Sequence, residues 1–469
     1  MPRCERAPDC GDGYSCDADG ICHAAKGQTG DTCTSEVQCA AGLSCQVDGA
    51  EIGEDGYLIA SCVGENAGRP AGGECINHHD CRNGTCDLGH CIDLCAEDRD
   101  CGTGTLCTQI PRLVEVTDTT TRKVHTKYRG CLQAHGAVRW QLPIHSANEE
   151  VELPVPASAR SVSVLFTVDD PNQKVGATQM MVPGLTEDVL LQYGYLENPY
   201  VRHRPELGES VLAMPISPVP SAQLRTGVYT MRVKSLRLSG GTSCMNPPCL
   251  IQGTATPTAT AVIKVDDAAI LDLHFYFLNL DNHPCSAAFG GKLDATTAQN
   301  ASYFEEFLSE IKTILGTAVY FQVGNVTFHD LRTHAEFDGL DVDKASSLLA
   351  LGTESTGVNV FFVRTLSPVG LQAIGPNPGP AGLGGTRRSG IVVGVDTLCY
   401  RSWTRLARLT AHEIARYMGL YNNVDIDRRV DPIPDTDASP NNLMFYSELG
   451  GTFLSEGQKQ ILRRSAVLR

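Results

Sequence analysis

The chain has 469 residues, with 38 Lys and Arg against 54 Asp and Glu, a formal net charge of −16. That balance argues against nucleic acid and anionic membrane as partners, and no apolar run reaches the roughly 18 residues of a transmembrane helix. With 42 % hydrophobic residues the chain can build sizeable cores, and its length suits about three domains.

Residues 4–131 hold sixteen of the twenty cysteines, in four groups of four: Cys4, Cys10, Cys16, Cys22; Cys33, Cys39, Cys45, Cys62; Cys75, Cys81, Cys86, Cys91; and Cys95, Cys101, Cys107, Cys131. Each group reads C-x5-C-x(4 or 5)-C, a spacer, then C, and the second cysteine follows Asp9, Gln38, Asp80 or Asp100. This is an internal repeat of small disulfide modules. Units this short bury too little apolar surface to fold without cross-links. The x5 spacings do not match those of zinc knuckles. Four cysteines allow three pairings; first with third and second with fourth is the expected one. Bridges imply an oxidising compartment, so an extracellular or cell-surface protein is expected. Met1-Pro2-Arg3-Cys4 leads straight into the cysteines without a visible signal peptide, so a leader is expected to be missing from this sequence. Residues 1–134 are read as the cysteine-rich domain.

Residues 135–267 change character. Short β-rich runs recur at Val138–Leu142, Val151–Val155, Ser161–Val168, Val189–Tyr193, Val211–Ile216, Val228–Val233 and Ala259–Val265, several of them separated by Pro/Gly-rich turns. The pattern predicts an antiparallel β-sandwich without a catalytic cluster. Cys244 and Cys249 are expected to close a local loop or to reach into the next domain.

Residues 268–469 alternate in type. Strands are predicted at Leu271–Asn279, Val319–Phe328 and Val358–Val363, with helices at Tyr303–Leu315 and Asp343–Leu351. A Gly/Pro loop, Gly370–Arg388, leads to an expected edge strand, Gly390–Val395, and then to a helix from about Arg401 to Leu420. Alternation of strands and helices implies a mixed or parallel sheet. Cys285 and Cys399 are candidates for a bridge within this domain.

The last helix carries Ala411-His412-Glu413-Ile414-Ala415-Arg416-Tyr417-Met418-Gly419-Leu420-Tyr421-Asn422. Two imidazoles at i and i+4 share a helical face and can hold one metal, with a Glu between them as general base for a bound water. Here His412, Glu413 and Gly419 are in register with the longer motif His-Glu-x-x-His-x-x-Gly-x-x-His. The second ligand position holds Arg416, which has no lone pair to give, and the third holds Asn422, a poor zinc ligand.

Around this helix the domain resembles a metzincin of the pappalysin type. Asp435-Thr436 stands where that family tends to show Asp-Thr-Pro, with Asp437 replacing the proline. Asn442-Leu443-Met444-Phe445-Tyr446 resembles the Met-turn, and Leu454-Ser455-Glu456-Gly457-Gln458 looks like the start of the closing helix. The resemblance covers about the last two-fifths of the chain. It implies a zincin fold with Met444 under the metal site, Gly419 turning the chain after the helix and Tyr446 beside the reaction intermediate. With two ligand positions changed, His412 is a remnant ligand, and Glu413 and Tyr446 are vestigial catalytic residues.

The fold expected is multidomain: disulfide-rich small modules, then an antiparallel β-sandwich, then an α/β metzincin-like zincin domain. The function expected is that of a secreted pseudo-metalloprotease without a cofactor, serving as a binding or scaffold protein for a protein or peptide ligand. In it the Arg416 guanidinium takes the place of the missing dication and pairs with Glu413 at i+3. The alternative is an active zinc metalloendopeptidase with zinc on His412 and non-standard ligands, Glu413 being the base. A third reading is a purely structural surface protein. Asp425 and Asp427 lie just past the third ligand position, and His329 and His334 fall outside the motif with little weight as ligands.

Overall fold

The computed structural model describes residues 14–16, 22–24, 26–117, 120–238, 250–317, 321–425 and 428–469. The chain divides into two compact units: Met1–His135 with Pro154–Ser158 and Thr226–Val228, and Gly136–Leu153 with Ala159–Arg225 and Tyr229–Arg469. The protein is disulfide-rich and β-rich, and among the described residues no helix is long and apolar enough to cross a membrane.

In the first unit one local design recurs. A short 3-10 turn, Glu36–Gln38, His78–Asp80 or Asp98–Asp100, precedes the second cysteine of the second, third and fourth groups. The residue just before that cysteine ties the turn from inside. Asp80 accepts the amides of Ile76 and Asn77, Asp100 those of Ala96 and Glu97, and Gln38 that of Thr34. Side-chain acceptors of this kind satisfy amides that the turn leaves unpaired. A hairpin then sets the third and fourth cysteines opposite one another, Cys45 with Cys62, Cys86 with Cys91 and Cys107 with Cys131. Both reach back to the turn: Cys33–Cys45 and Cys39–Cys62, Cys75–Cys86 and Cys81–Cys91, Cys95–Cys107 and Cys101–Cys131, with Cα separations of 5.3–5.9 Å. This is the expected first-to-third, second-to-fourth pairing. In the first group Cys16 faces Cys22 across a hairpin in the same way. The bonding of Cys4, Cys10, Cys16 and Cys22 lies outside the described residues, as does that of Cys244 and Cys249.

The second unit opens with two antiparallel sheets. One holds the strands Ala137–Leu142, Thr258–Lys264, Ser161–Thr167 and Glu209–Met214 in that order. The other runs Asn148–Val155, Gly227–Leu238, Lys174–Met181, Glu206–Leu207, with Leu250–Gln252 paired to Gly227–Leu238. Two expectations are corrected here. Val189–Tyr193 is no strand: Asp188 accepts the amides of Leu190 and Leu191, and this N-cap winds Val189–Gln192 into a helical turn. The strand Lys174–Met181 was not expected, because Gly176 and a register shift near Thr178 blur its alternation.

The α/β region is built on one five-stranded sheet. Its strands are β1 (Ile270–Phe277), β2 (Gln322–Asp330), β3 (Val358–Val363), β4 (Ala373–Ile374) and β5 (Ile391–Gly394), in the order β2-β1-β3-β5-β4. All neighbours are parallel except β4, which runs antiparallel to β5. The expected edge strand at 390–395 is therefore internal. The Gly/Pro loop before it folds back as β4 and takes the edge, because its two backbone-paired residues satisfy β5 on the open side. Residues 318–320, inside the strand expected from Val319, lie outside the described residues.

Helices α1 (Ser302–Ile311) and α2 (Trp403–Tyr417) cover one face of this sheet. Phe275, Phe277 and Phe362 from the strands meet Phe304 and Phe307 of α1 and, through them, Trp403 of α2; the Phe275 and Phe304 centroids are 5.1 Å apart, edge to face. Each such buried ring contributes about 1.5–3 kcal/mol by area alone. Alternation sends Tyr276 and Leu278 to the other face, into a smaller core with Leu340, Leu348 and Phe361. Cys285 and Cys399 are bridged. The closing helix α3 (Glu456–Arg464) starts with a capping box, Ser455 Oγ accepting the Gln458 amide and Gln458 Oε1 accepting the Ser455 amide.

Candidate functional site

α2 is capped at its start by Ser402, whose hydroxyl accepts the Arg405 amide, and it ends where Gly419 takes φ +112°. That backbone conformation suits glycine and releases the chain from the helical path, the Gly419 amide bonding the Arg416 carbonyl. Residues at i, i+4 and i+8 place Arg408, His412 and Arg416 in one row along the helix. Arg408, 3 % exposed, donates to the carbonyls of Gly451, Ser447 and Leu443 at 2.7–3.1 Å, and so ties the loop around Met444 to the helix. Burial pushes its guanidinium down to about 10.

His412 is 5 % exposed, and its Nδ1 donates to the Leu443 carbonyl at 2.8 Å. That bond fixes the tautomer and leaves the Nε2 lone pair on the side of Glu413, whose Oε1 lies 3.9 Å away. Burial pushes the ring down to about 4; Glu413 opposes the shift and Arg416 adds to it. The Glu413 carboxylate is buried, and Arg416 Nη1 stands 3.4 Å from both its oxygens. The chain at Gly375, just after β4, passes so close that a Cβ there would lie 3.3 Å from Glu413 Oε2.

These groups line a cavity of about 360 Å³ with Asn422, Tyr446, Leu371 and Ala373. The Asn422 amide nitrogen donates to Asp425 at 2.8 Å, while its oxygen is buried without a partner. Tyr446 is half exposed and rests on Phe445. Met444 is fully buried in the core beneath α2, with its amide on Asn442 Oδ1. The fold thus brings His412, Glu413, Arg416, Asn422 and Tyr446 to one cleft and puts Met444 in the packing. Asp427 lies outside the described residues.

Sequence reasoning missed Arg408, although its i−4 spacing from His412 was a usable signal. It missed Gly375 and β4, for which no local signal exists. It also gave His329 little weight. On the sheet face away from α2, ligand-type atoms of His274, His329 and Glu354 lie within 4.8 Å of one another. There the Thr327 hydroxyl sits 2.8 Å from a ring nitrogen of each histidine, and the other His274 nitrogen donates to the Thr356 carbonyl at 2.8 Å. Both ring nitrogens of His274 and the Nε2 of His329 are thus already engaged in one hydrogen-bond chain. His334 stands apart, against Glu336. Among the described residues no group of three such ligand atoms includes His412.

Neither a scan against protein-family models nor a search of curated proteins finds a match.

Proposed function

We propose that this chain is a secreted, metzincin-like pseudo-metalloprotease whose cleft holds a protein or peptide ligand instead of cleaving it. The observation that carries the reading is Arg416. One turn after His412, where the motif wants a second imidazole, a guanidinium stands 3.4 Å from both oxygens of a buried carboxylate. It supplies the positive charge that buried Glu413 needs, which in a zinc enzyme the ion would supply.

The residues at hand do not fit zinc. His412 offers one lone pair, Arg416 offers none, and Asn422 has turned its nitrogen to Asp425. What supports the metzincin resemblance is the mixed sheet, the helix ending at a glycine, the buried Met444 behind His412, and the capping box at Ser455. What supports peptide binding is β4, whose outer edge is unpaired and whose Ala373 lines the cleft, so an extended chain can add to it as a strand. The bridges and the absence, among the described residues, of a membrane-spanning helix are compatible with an extracellular setting.

Metal content tests this. Protein made through an oxidising secretory route and purified without chelator is expected to carry close to no zinc by mass spectrometry. The double variant Arg416→His with Asn422→His is expected to take up about one zinc per chain. About one zinc in the unaltered protein, lost in His412→Ala, would sink the proposal in favour of an active endopeptidase with Glu413 as base. Failure of the double variant to bind zinc would sink the resemblance.

A further inference from the structure

Beside the cleft lies a second cavity of about 570 Å³, which shares Leu371, Ala373, Arg416 and Asn422 with it. The chain is strongly acidic, with a net charge of −16, yet five arginines line this cavity against two carboxylates, Glu206 and Asp425. The carboxylates are committed. Glu206 is held by Arg204 at 2.6 Å and by Arg388, and Asp425 accepts from Asn422. Glu413, next door, takes Arg416.

Arg387 acts on Glu209, outside the lining, and among the described residues no carboxylate pairs with Arg202. It is 4 % exposed, and its guanidinium lies over the Tyr421 ring, 3.0 Å from the centroid, with Tyr195 at 5.4 Å. Both tyrosine hydroxyl protons go elsewhere, Tyr421 donating to the Tyr195 carbonyl and Tyr195 to the Asn377 carbonyl, so of these groups only the Tyr195 oxygen is left to face the guanidinium. Nε and Nη1 of Arg202 are buried with no hydrogen-bond partner, and so are Nε of Arg416 and of Arg388. Ring faces offset part of the cost of a buried cation. Unpaired N–H groups of a buried guanidinium still carry the desolvation cost of an uncompensated buried charge. Burial and the nearby Arg416 both pull the Arg202 guanidinium below its ordinary value. A planar guanidinium with free donors is matched best by a planar, two-oxygen anion.

We infer that this cavity receives a carboxylate of the peptide bound in the cleft, held by Arg202 and Arg416 beside the Tyr195 and Tyr421 rings. The inference rests on the peptide-binding reading above and names the group that such a ligand must carry. The carboxylate comes from an Asp or Glu side chain or from the peptide's C-terminus. Either source presents the same two oxygens to the fork.

The test uses full-length protein and four fluorescein-labelled octapeptides of alanine and serine, with one Glu or one Gln, each with a free or an amidated C-terminus. Anisotropy is expected to show binding to at least one carboxylate-bearing peptide at least tenfold tighter than to the Gln amide. A preference that follows Glu identifies a side chain, and one that follows the free terminus identifies a chain end. Arg202→Met is expected to abolish the preference. Because it removes an unpaired cation, it should leave Tm unchanged or raise it. A carboxylate peptide should raise the Tm of the unaltered protein and not that of Arg202→Met. Equal affinity for all four peptides, or full preference retained in Arg202→Met, overturns the carboxylate site. So does a large fall in Tm of Arg202→Met, since that marks the guanidinium as structural. These outcomes are separate from zinc content: a zinc-free protein indifferent to carboxylates loses this site and keeps the pseudoenzyme reading, whereas a zinc-loaded protein that cleaves the peptides loses that reading itself.

Discussion

In the cysteine-rich unit, each hairpin is held by two bridges to the turn before it, and its large apolar side chains are few. In the α/β region a continuous core of aromatic and aliphatic side chains sits between sheet and helices, with one bridge, Cys285–Cys399, at its margin. The first unit restricts the unfolded chain, and its shape follows from covalent links a dozen residues apart. The second gains from burial, which lets a packed helix such as α2 carry polar groups like Arg408 and His412 into the interior. A cleft needs the second kind of scaffold, because groups there are fixed by packing from several segments at once.

Reduction should separate the two most widely. Each bridge lost removes about 2–4 kcal/mol, and a module has two. Under mild reductant, hydrogen exchange in residues 75–131 is expected to become complete while Val358–Val363 stays protected. Protection of both segments would erase the contrast. Phe362→Ala is the converse probe. It should cost the α/β region about 3–5 kcal/mol in a denaturant titration and leave exchange in residues 75–131 unchanged.

Arg408→Met is expected to cost about 2–3 kcal/mol, since it leaves carbonyls at Leu443, Ser447 and Gly451 without their donor. A melt equal to that of the unaltered protein would show that the Met444 loop holds itself.

The pH dependence gives the smallest and most local signal. His412 is depressed from 6.5 to about 4, so between those values the unfolded chain binds a proton that the folded one refuses. Its contribution is fully present above pH 6.5 and is lost as pH falls toward 4. The stability difference between the unaltered protein and His412→Gln should therefore shrink by about 2–3 kcal/mol across that window. A flat difference would mean that the ring is not buried neutral.

Several local features were readable along the chain. The cysteine spacings marked the modules and left three pairings open in each; the expected one is found in the second, third and fourth groups, where the hairpin sets the last two cysteines side by side. β3 was read to the residue, Val358–Val363 being apolar throughout as a strand covered on both faces should be. The pairing of Arg416 with Glu413 was legible too, since i, i+3 and i+4 contacts on α2 need only helical geometry. The strand expected at Val189–Tyr193 failed because four apolar or aromatic residues around Gln192 carry no period, and the Asp188 cap decided the matter.

The primary structure by itself therefore determined the cysteine modules and the helix with His412, Glu413 and Arg416. Only the tertiary structure decided that the Gly/Pro loop returns as an edge strand, that Arg408 binds carbonyls some forty residues on, and that Arg202 meets Tyr421 across more than two hundred residues. The physical reason is range. Capping, helical spacing and short covalent loops act between neighbours in the chain, so residue order alone specifies them. A buried cation stacked on a distant ring exists only once the core has closed and fixed both segments, and nothing in either segment alone announces the other.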